Sequence, residues 1–306
     1  MRISRHSLTG LLLIALGLAC AGGAARLDGP VPGAQNAADT LALTLPTREG
    51  SLKFAVLGDF GNGTRAQTQL ARMMARLRTR FPFELVLTVG DNLYGTDNER
   101  NIRARFEVPY KALLDGGVKF YASLGNHDTP EFQRHYELFN MGGDLYYTFK
   151  APKQDVRFFA LQSEYMTIEQ IGWLERELTN AGEAWKIPYF HHPLYSSGDR
   201  HGSNLPLRRI LEPMFLKHGV KAVFAGHDHF YERTTPQNGI VHFVVGSGGQ
   251  LRRGNVDEGS GITARAFDTD LAFLAVEIDG DELFFDAISR TGAVVDSGVI
   301  TRTPRP

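Results

Sequence analysis

The chain has 306 residues, of which 42% are hydrophobic and 22% are charged. This composition is typical of a globular protein and excludes a disordered or fibrous chain, and the length suits one large domain or two small ones. The 33 basic and 34 acidic residues nearly cancel, so no overall field attracts nucleic acid or an anionic membrane. Any anionic substrate must therefore be attracted locally.

Residues 1–21 have the pattern of an export signal. Arg2 and Arg5 precede an apolar run at residues 11–21, which is too short to span a bilayer well. Cys20, the only cysteine, lies near the end of this run. Residues 16–20 resemble a bacterial lipoprotein site, although Gly17 stands where that pattern prefers an aliphatic residue. Signal cleavage and a lipid anchor at Cys20 both remain open, whereas a buried N-terminal helix lacks caps and an amphipathic period. We expect an exported protein that is periplasmic, secreted or lipid-anchored.

Residues 22–50 are rich in Ala, Gly, Pro, Thr and Asp and show no helical or strand period. This pattern predicts a flexible linker between the signal and the domain. No fixed repeat, low-complexity segment or second linker follows. We therefore predict a single catalytic domain over residues 51–306.

Within the domain, strand-like apolar runs alternate with amphipathic stretches. In chain order these are a strand at 53–57, a helix at 65–80, a strand at 84–89, a helix at 101–114 and a strand at 118–124, which predict a βαβαβ unit. Strands at 146–149, 156–161, 186–190 and 220–225 follow, with helices at 167–180 and 205–218. The last strands, at 241–245, 271–278, 282–288 and 294–300, have no helices between them, and Asp279-Gly280-Asp281 predicts a hairpin. The order predicts an α/β fold, an αββα sandwich of two mixed β-sheets flanked by helices.

Side chains that bind metals follow the predicted strands at five places. They lie in Gly58-Asp59, Gly90-Asp91-Asn92-Leu93-Tyr94, Gly125-Asn126-His127-Asp128, His191-His192-Pro193 and Gly226-His227-Asp228-His229. In α/β sheets the carboxyl ends of strands form the ligand crevice, and glycine permits the tight turn that directs the next side chain inward. Carboxylate, amide and imidazole groups suit Zn, Mn or Fe, and the lack of cysteine in the domain argues against a structural zinc site.

Each motif alone also has an ordinary structural interpretation. Gly-Asp is common in turns, Asn126-His127-Asp128 is compatible with a helix cap, and His227 and His229 are compatible with hydrogen-bonded core residues. Together these interpretations require five strand ends to carry metal-binding side chains by accident. The metal site is therefore the better hypothesis.

The ordered motifs resemble those of the calcineurin-like metallophosphoesterases, over the range from about Lys53 to Ile288. Tyr94, three residues after Asp91, narrows the resemblance to the purple acid phosphatases of the tartrate-resistant type, whose characteristic iron ligand is a tyrosinate. The run from His227 to Arg233 is similar to that subfamily as well. The resemblance implies a hydrolase that cleaves phosphate monoesters by attack of a metal-bound hydroxide. The partner that we expect is a small phosphorylated substrate; the sequence carries no signal for nucleic-acid binding and no transmembrane span.

The resemblance also implies two metal ions, Fe(III) and a divalent Fe, Zn or Mn, held by two ligand sets. The ferric set is Asp59, Asp91, Tyr94 and His229. The divalent set is Asp91, which bridges, with Asn126, His191 and His227. A phenolate is a hard anionic donor that favours Fe(III), whereas an amide oxygen and two imidazoles leave less charge and favour a 2+ ion.

The resemblance implies that His127 and His201 orient the substrate and protonate the leaving group. His201 lies in a loop of variable length, so a solvated surface role is the alternative. His192 is a neighbour of a ligand, for which we expect a structural role. Asp128 and Asp228 are expected to accept hydrogen bonds from ligand histidines or turn backbones.

Other activities are compatible with the same ligands. A phosphodiesterase or nucleotide phosphohydrolase would use the same metals, and a non-catalytic metal-binding receptor would keep the fold. Arg233, Arg252 and Arg253 are possible phosphate contacts, but arginines beside glycine-rich loops are more often solvated, so no site role is predicted for them. The oligomeric state and the physiological ester are left open.

Overall fold

The computed structural model describes residues 42–183 and 185–302. The predicted export signal, Cys20 and residues 22–41 of the predicted linker lie outside the described residues. The strands are β1 (Leu52–Leu57), β2 (Leu85–Val89), β3 (Lys119–Ser123), β4 (Tyr147–Lys150), β5 (Val156–Ala160), β6 (Trp185–Tyr189), β7 (Ala222–Ala225), β8 (Tyr231–Thr234), β9 (Val241–Val245), β10 (Thr263–Phe267), β11 (Ala272–Asp279), β12 (Glu282–Ser289) and β13 (Val294–Thr301).

The helices are α1 (Arg65–Arg78), α2 (Glu99–Ile102), α3 (Val108–Asp115), α4 (Pro130–Gln133), α5 (Ile168–Asn180) and α6 (Leu205–Lys217). A π-helical turn, Arg103–Glu107, joins α2 to α3, and a 3₁₀ turn spans Glu137–Phe139. Across the part of the chain just described, none of these helices has the length and apolar character needed to cross a membrane.

The described strands form two mixed sheets. The spatial order is β13-β12-β11-β1-β2-β3 in the six-stranded sheet and β10-β8-β9-β7-β6-β5-β4 in the seven-stranded sheet. Strands β1, β2 and β3 pair in parallel, which confirms the predicted βαβαβ unit. The predicted hairpin is confirmed as well, because β11 and β12 pair antiparallel with Asp279 opposite Glu282 and Gly280 at φ 58°.

Helices cover the outer face of each sheet and produce four layers. In β1, Phe54 and Val56 belong to the core between the sheets, while Ala55 and Leu57 belong to the core beneath α1 and α3. Because both faces are buried, the strand is apolar throughout rather than alternating. Helices α5 and α6 cover the other sheet through a third cluster that includes Leu174. The predicted αββα sandwich is confirmed.

Helix α1 shows how the covering layer arises from the sequence. The side chain of Thr64 accepts a hydrogen bond from the backbone N–H of Gln67 and caps the first turn. Leu70, Met74 and Leu77 recur at helical spacing and are fully buried. Burial of each such side chain contributes about 1.5–3 kcal/mol, so the helix is held to the sheet mainly by this stripe.

The structure contains two strands, β8 and β10, that the sequence does not predict, and it interrupts one predicted helix. β8 has four residues directly after a ligand motif, and β10 is a partly exposed edge strand that pairs only with β8, so neither has a clear apolar pattern. The predicted helix at 101–114 is interrupted by the π turn. Pro109, in the first turn of α3, has no N–H to donate to the carbonyl four residues earlier, which explains the interruption.

The last residues of the predicted linker contact the six-stranded sheet. Leu45 is buried in the core, and the backbone N–H groups of Thr47 and Arg48 donate to the carboxylate of Glu277 at 2.7 and 2.6 Å. Glu277 is fully buried, so these bonds satisfy a carboxylate that water does not reach. The packed domain therefore includes residues before 51, where composition alone suggests a linker.

Candidate metal centre

The ligand motifs follow strand ends that lie side by side. The pairing of β1 with β2 continues beyond the strands, because the N–H of Asp59 donates to the carbonyl of Gly90 at 3.0 Å. On the other sheet, the N–H of Gly226 donates to the carbonyl of His191 at 2.9 Å. Each sheet thus brings two ligand motifs to the same edge, as the strand-end rule predicts.

Three of the predicted ligands have a left-handed backbone. The φ angles are 54° at Asp59, 49° at Asp91 and 72° at His227. This region costs a non-glycine residue about 1–3 kcal/mol and persists only where the surroundings stabilise it. Part of that stabilisation is visible, because the N–H of His227 donates to the carboxylate of Asp59 at 3.0 Å. The strained turn at His227 therefore links a ligand of one sheet to a ligand of the other by a hydrogen bond.

The two sheets meet at glycines that leave no room for a Cβ. A Cβ on Gly226 would lie 2.5 Å from Oδ2 of Asp59 and 2.7 Å from the carbonyl of Val89. A Cβ on Gly90 would lie 2.6 Å from Nδ1 of His191. The glycines that precede Asp91 and His227 are therefore required by close approach between the sheets. We call the contact at Gly90 and Gly226 the glycine seam.

Asp59, Asp91, Tyr94 and His229 form the first of two donor clusters. The hydroxyl of Tyr94 lies 3.2 Å from Asp59, 3.0 Å from Asp91 and 3.2 Å from Nε2 of His229. A phenol has one hydrogen to donate and cannot satisfy two carboxylates and an imidazole at once. A cation in this cluster would satisfy all four groups, so the donor set fits a metal ion.

Asn126, His191 and His227 form the second cluster. Nδ1 of His191 donates to the carbonyl of Val89 at 2.9 Å, which leaves Nε2 with its lone pair in the neutral ring. That Nε2 lies 3.0 Å from Oδ1 of Asn126 and 3.1 Å from Nδ1 of His227. An amide oxygen facing an imidazole lone pair is unfavourable unless a cation lies between them. This cluster therefore also fits a metal ion.

Asp91 faces both clusters with different oxygens. Its Oδ2 is the atom near Tyr94, whereas its Oδ1 lies 3.5 Å from Nε2 of His191. The N–H of His127 donates to Oδ1 at 2.9 Å and fixes the orientation of the carboxylate. This is the placement that a carboxylate needs in order to bridge two metal ions.

The protonation states of the ligands follow from burial. Burial raises the pKa of Asp59, and the charge of Asp91 raises it further. Burial also lowers the pKa of His227 to about 2 and that of His229 to about 4, so these rings are neutral near pH 7 and keep a lone pair for a metal. For Tyr94, burial and then the charges of Asp59 and Asp91 raise the pKa. A phenolate in this place requires a cation beside it.

The two predicted proton donors lie beside different clusters. The side chain of His127 is 51% exposed, and its Nε2 lies 4.0 Å from Oδ2 of Asp91. The ring of His201 is exposed and its centroid lies 4.2 Å from that of His227. Both rings thus reach the edge of the site without belonging to either donor cluster.

His192 lies close to the second cluster, with its ring centroid 4.4 Å from that of His227. His191, His192 and His227 offer ligand atoms that all lie within 4.8 Å of one another, so distance alone also admits His192 as a ligand. Its ring nitrogens, however, already contact Ser163 at 3.2 Å and Glu164 at 3.3 Å. These contacts favour the structural role predicted for His192.

Asp128 holds turn backbones, as the sequence predicts. Its carboxylate accepts from the N–H of Leu93 at 3.0 Å and from the N–H of Gly125 at 2.9 Å. The side chain of Gln133 donates to it at 2.7 Å. Asp128 therefore ties the loop that carries Tyr94 to the turn that carries Asn126.

Asp228 holds the loop at residues 195–204, which carries His201. Its Oδ2 accepts from the hydroxyl of Ser196 at 2.6 Å and from the N–H of Gly202 at 3.1 Å. The loop is thus attached to the turn that contains two predicted metal ligands. Asp228 acts on a turn backbone, one of the two roles expected for it.

One supporting segment is missed by the sequence reasoning. The N–H groups of Gly249 and Gln250 donate to the carbonyl of Asp59 at 3.0 and 2.9 Å, and that of Gly248 donates to Gly58 at 2.9 Å. The available signal is the run Gly246-Ser247-Gly248-Gly249, which follows a predicted strand as the ligand motifs do. It contains no metal-binding side chain, so a search for ligands passes over it.

A cleft of about 480 Å³ adjoins the second cluster. It is lined by His192, Pro193, Arg200, His201, Gly202, Ser203, Asn204, Leu205, Pro206 and His227. A larger cavity, of about 1050 Å³, lies between residues 99–108 and 131–136 and contains none of the predicted ligands. We assign the smaller cleft to the site because it shares His227 and His201 with it.

Comparisons with known proteins agree with this geometry. The family model for calcineurin-like phosphoesterases matches residues 52–231. Tartrate-resistant acid phosphatase type 5 of Oryctolagus cuniculus is 24% identical over 250 residues, which cover 68% of this chain and 77% of the relative. Purple acid phosphatase 4 of Arabidopsis thaliana is 25% identical over 278 residues, which cover 79% of this chain and 82% of the relative.

A solved structure shows the same fold. The structure of GAP50, the anchor in the inner membrane complex of Plasmodium, has a TM-score of 0.73 at 20% identity and covers 83% of this chain and 90% of GAP50. At this identity the likeness concerns the fold alone. The family match spans more than half of the chain and includes the strand ends that carry all seven predicted ligands, and the chain therefore belongs to the calcineurin-like phosphoesterases.

Proposed function

We propose that the chain is an exported dinuclear-metal acid phosphatase that hydrolyses phosphate monoesters. The observation that carries this proposal is the position of Asp91 between two donor clusters of different chemistry. One cluster contains a phenol and two carboxylates, and the other contains an amide oxygen and two neutral imidazoles. The acid phosphatases among the relatives support the choice of substrate class.

In this proposal Asp59, Tyr94 and His229 hold Fe(III), and Asn126, His191 and His227 hold a divalent Fe, Zn or Mn, with Asp91 shared. Such a metal pair binds phosphate oxygens and lowers the pKa of the attacking water. Two further tasks fall to the chain itself, which must orient the phosphate group and protonate the leaving oxygen.

We assign these tasks to His127 and His201. His127 lies beside Asp91 and Tyr94, with its ring open to solvent, so its Nε2 is placed to hydrogen-bond a phosphate oxygen. His201 lines the cleft next to His227, where the alcohol part of the ester would leave, so its ring is placed to donate a proton to that oxygen. A protein nucleophile is not required in this scheme.

Export is the part of the proposal that rests on the sequence alone. The charged and apolar pattern of residues 1–21 supports export. Cys20 supports a lipid anchor as one of two forms of the mature N-terminus, the other being simple cleavage. Mass spectrometry of the native protein distinguishes acylated Cys20 from a terminus created by simple cleavage. Recovery of the unprocessed chain from the cytoplasm would contradict export.

The central test combines metal analysis with a substrate panel. Protein from its native compartment should contain iron and absorb visible light through tyrosinate-to-ferric charge transfer, and Tyr94→Phe should abolish the band. Tyr165→Phe, which changes a tyrosine that is 71% exposed, is the matched control and should retain it. If iron is absent and Tyr94→Phe changes neither colour nor hydrolysis, the ferric assignment is wrong.

The panel compares monoesters, diesters and nucleotides under the same metal loading. Monoesters should have the highest kcat/KM. Faster turnover of diesters would show that the protein is a phosphodiesterase rather than an acid phosphatase. No hydrolysis by fully metallated protein would favour a non-catalytic receptor.

A further inference from the structure

Two arginines stand at the metal centre without acidic partners. Throughout residues 42–183 and 185–302, the side chains of Arg200 and Arg252 form no ion pair, and no hydrogen bond satisfies Nη1 of Arg252, which is withdrawn from solvent. A guanidinium nitrogen that is shielded from water without an acceptor is unfavourable. Such a group is therefore suited to a ligand that brings its own negative charge.

The position of Arg252 is fixed relative to the first cluster. Its backbone N–H donates to the carbonyl of His229 at 2.9 Å, which attaches it directly beside a predicted ligand. Its positive charge is also close enough to act on both His229 and His201. Arg252 thus lies near both the first cluster and the histidine of the cleft.

Arg200 directly precedes His201 in the chain and is exposed. It lines the 480 Å³ cleft together with His201 and His227. None of the ten residues that line this cleft is acidic, so nothing there repels an anion. In the proposed function the scissile phosphate binds at the metal clusters, so this adjoining cleft is the space open to the rest of the substrate.

We propose that Arg252 and Arg200 bind a second anionic group of the substrate, so the preferred esters carry a carboxylate or a second phosphoryl group beside the scissile phosphate. This inference rests on the proposed function and specifies its substrate class. Arginine suits either anion, because its planar group forms paired hydrogen bonds with carboxylate and phosphate alike.

The test measures kcat/KM for two matched pairs of substrates on the metal-loaded full chain. Glycerol 3-phosphate and 3-phosphoglycerate differ by a carboxylate, and fructose 6-phosphate and fructose 1,6-bisphosphate differ by a phosphoryl group. The member with the extra anion should be preferred by roughly tenfold or more, as expected for a hydrogen bond between charged groups. The pair with the larger preference identifies the anion.

Arg252→Gln should remove most of that preference, and its effect on the substrates without the extra anion should be much smaller than its effect on those that carry it. Arg252→Lys should restore part of it because it restores the charge. Arg253→Gln is the matched control, because Arg253 is the exposed neighbour and should keep the full preference. Metal content and melting temperature of each variant show whether it is folded and loaded.

Two outcomes would overturn the inference. An equal loss on both members of a pair would mean that Arg252 binds the scissile phosphate instead, and an unchanged preference would mean that it binds no substrate anion. If the wild-type protein hydrolyses none of these esters, the proposed function fails separately. Calorimetry of the same metal-loaded protein then decides the inference, because pyrophosphate should bind more tightly than inorganic phosphate only while Arg252 is present.

Discussion

At the scale of single residues, the site depends on groups that tolerate little change in size or charge. The seven predicted ligands were accessible from the sequence because metal-binding side chains are rare directly after five separate strands. The sequence offers Arg252 as a possible phosphate contact but assigns it no site role, because arginines beside glycine-rich loops are more often solvated. Only its shielded nitrogen and its bond to His229 distinguish it from a surface arginine.

Gly226→Ala should disrupt the centre without touching a ligand. Its new Cβ would lie 2.5 Å from Oδ2 of Asp59 and 2.7 Å from a backbone carbonyl, so the two sheets must separate. We expect a loss of about 1–3 kcal/mol of stability, typical of overpacking, together with weaker metal binding. Gly182→Ala is the control, since a Cβ there meets nothing within 4 Å. Equal metal content in the two variants would contradict the prediction.

His242 should make the domain sensitive to acid. It is 2% exposed on β9, and burial, followed by the charge of Arg208, lowers its pKa to about 3. Between pH 6.5 and 3 the unfolded chain binds the proton that the folded chain excludes, so stability falls as pH falls. From pH 7 to pH 5 the loss is about 2 kcal/mol.

Urea unfolding at these two pH values measures this loss. His242→Phe should flatten the dependence, because the group that titrates has been removed. An equally steep dependence in His242→Phe would show that other groups account for the acid sensitivity.

At the scale of elements, the sequence predicts well the strands that are buried on both faces of a sheet. Strands such as β1 are apolar throughout because helices and the second sheet cover them, and the βαβαβ order follows from this alternation. β10 was missed because it lies at a sheet edge and is partly exposed, so packing against β8 rather than hydrophobicity defines it. Buried acids hold the loops that carry function. Asp128 and Asp228 lie within the ligand motifs and are predicted, whereas the contacts of Glu232 have no local sequence pattern.

Glu232 is such an acid for the loop at 195–204. It is fully buried on β8 and accepts from the N–H of Ser197 at 2.9 Å and from the hydroxyl of Thr263. Glu232→Ala should loosen this loop and displace His201. Since a buried hydrogen bond to a charged group is worth about 1.5–3 kcal/mol, we expect kcat/KM to fall by about tenfold or more with metal content unchanged.

Hydrogen exchange at residues 196–202 provides the readout that separates this effect from general damage. Exchange should accelerate in Glu232→Ala and recover partly in Glu232→Gln, whose amide oxygen still accepts a hydrogen bond. Glu258→Ala, in a neighbouring exposed position, is the control. Unaltered exchange in Glu232→Ala would contradict the role in holding the loop.

At the scale of the whole molecule, the metal centre joins the two halves of the sandwich. Asp59 and Asp91 come from the six-stranded sheet, whereas His191 and His227 come from the seven-stranded sheet. Without cations, buried carboxylates and facing lone pairs oppose the contact between the sheets. Under the proposed function, bound metal should therefore contribute to the stability of the domain as well as to its chemistry.

Removal of the metals should lower the melting temperature. A ligand present at 100 times its Kd adds about 2.7 kcal/mol, which corresponds to roughly 5–10 °C in a domain of this size. Calorimetry before and after chelation measures the shift in melting temperature. In Asp91→Asn, which weakens the shared ligand, chelation should cause a smaller shift. An unchanged melting temperature after complete metal loss would show that the sheets do not depend on the centre.

The glycine seam has a consequence for how enzymes with this site can diversify. Where no Cβ fits between the sheets, neither the distance between the ligand groups nor their direction can change by small steps. The loop at 195–204 and the arginines near it are not confined in this way, since they lie at the rim and are attached by a few hydrogen bonds. New substrate preferences should therefore arise by exchange of rim residues around an unaltered metal-binding frame.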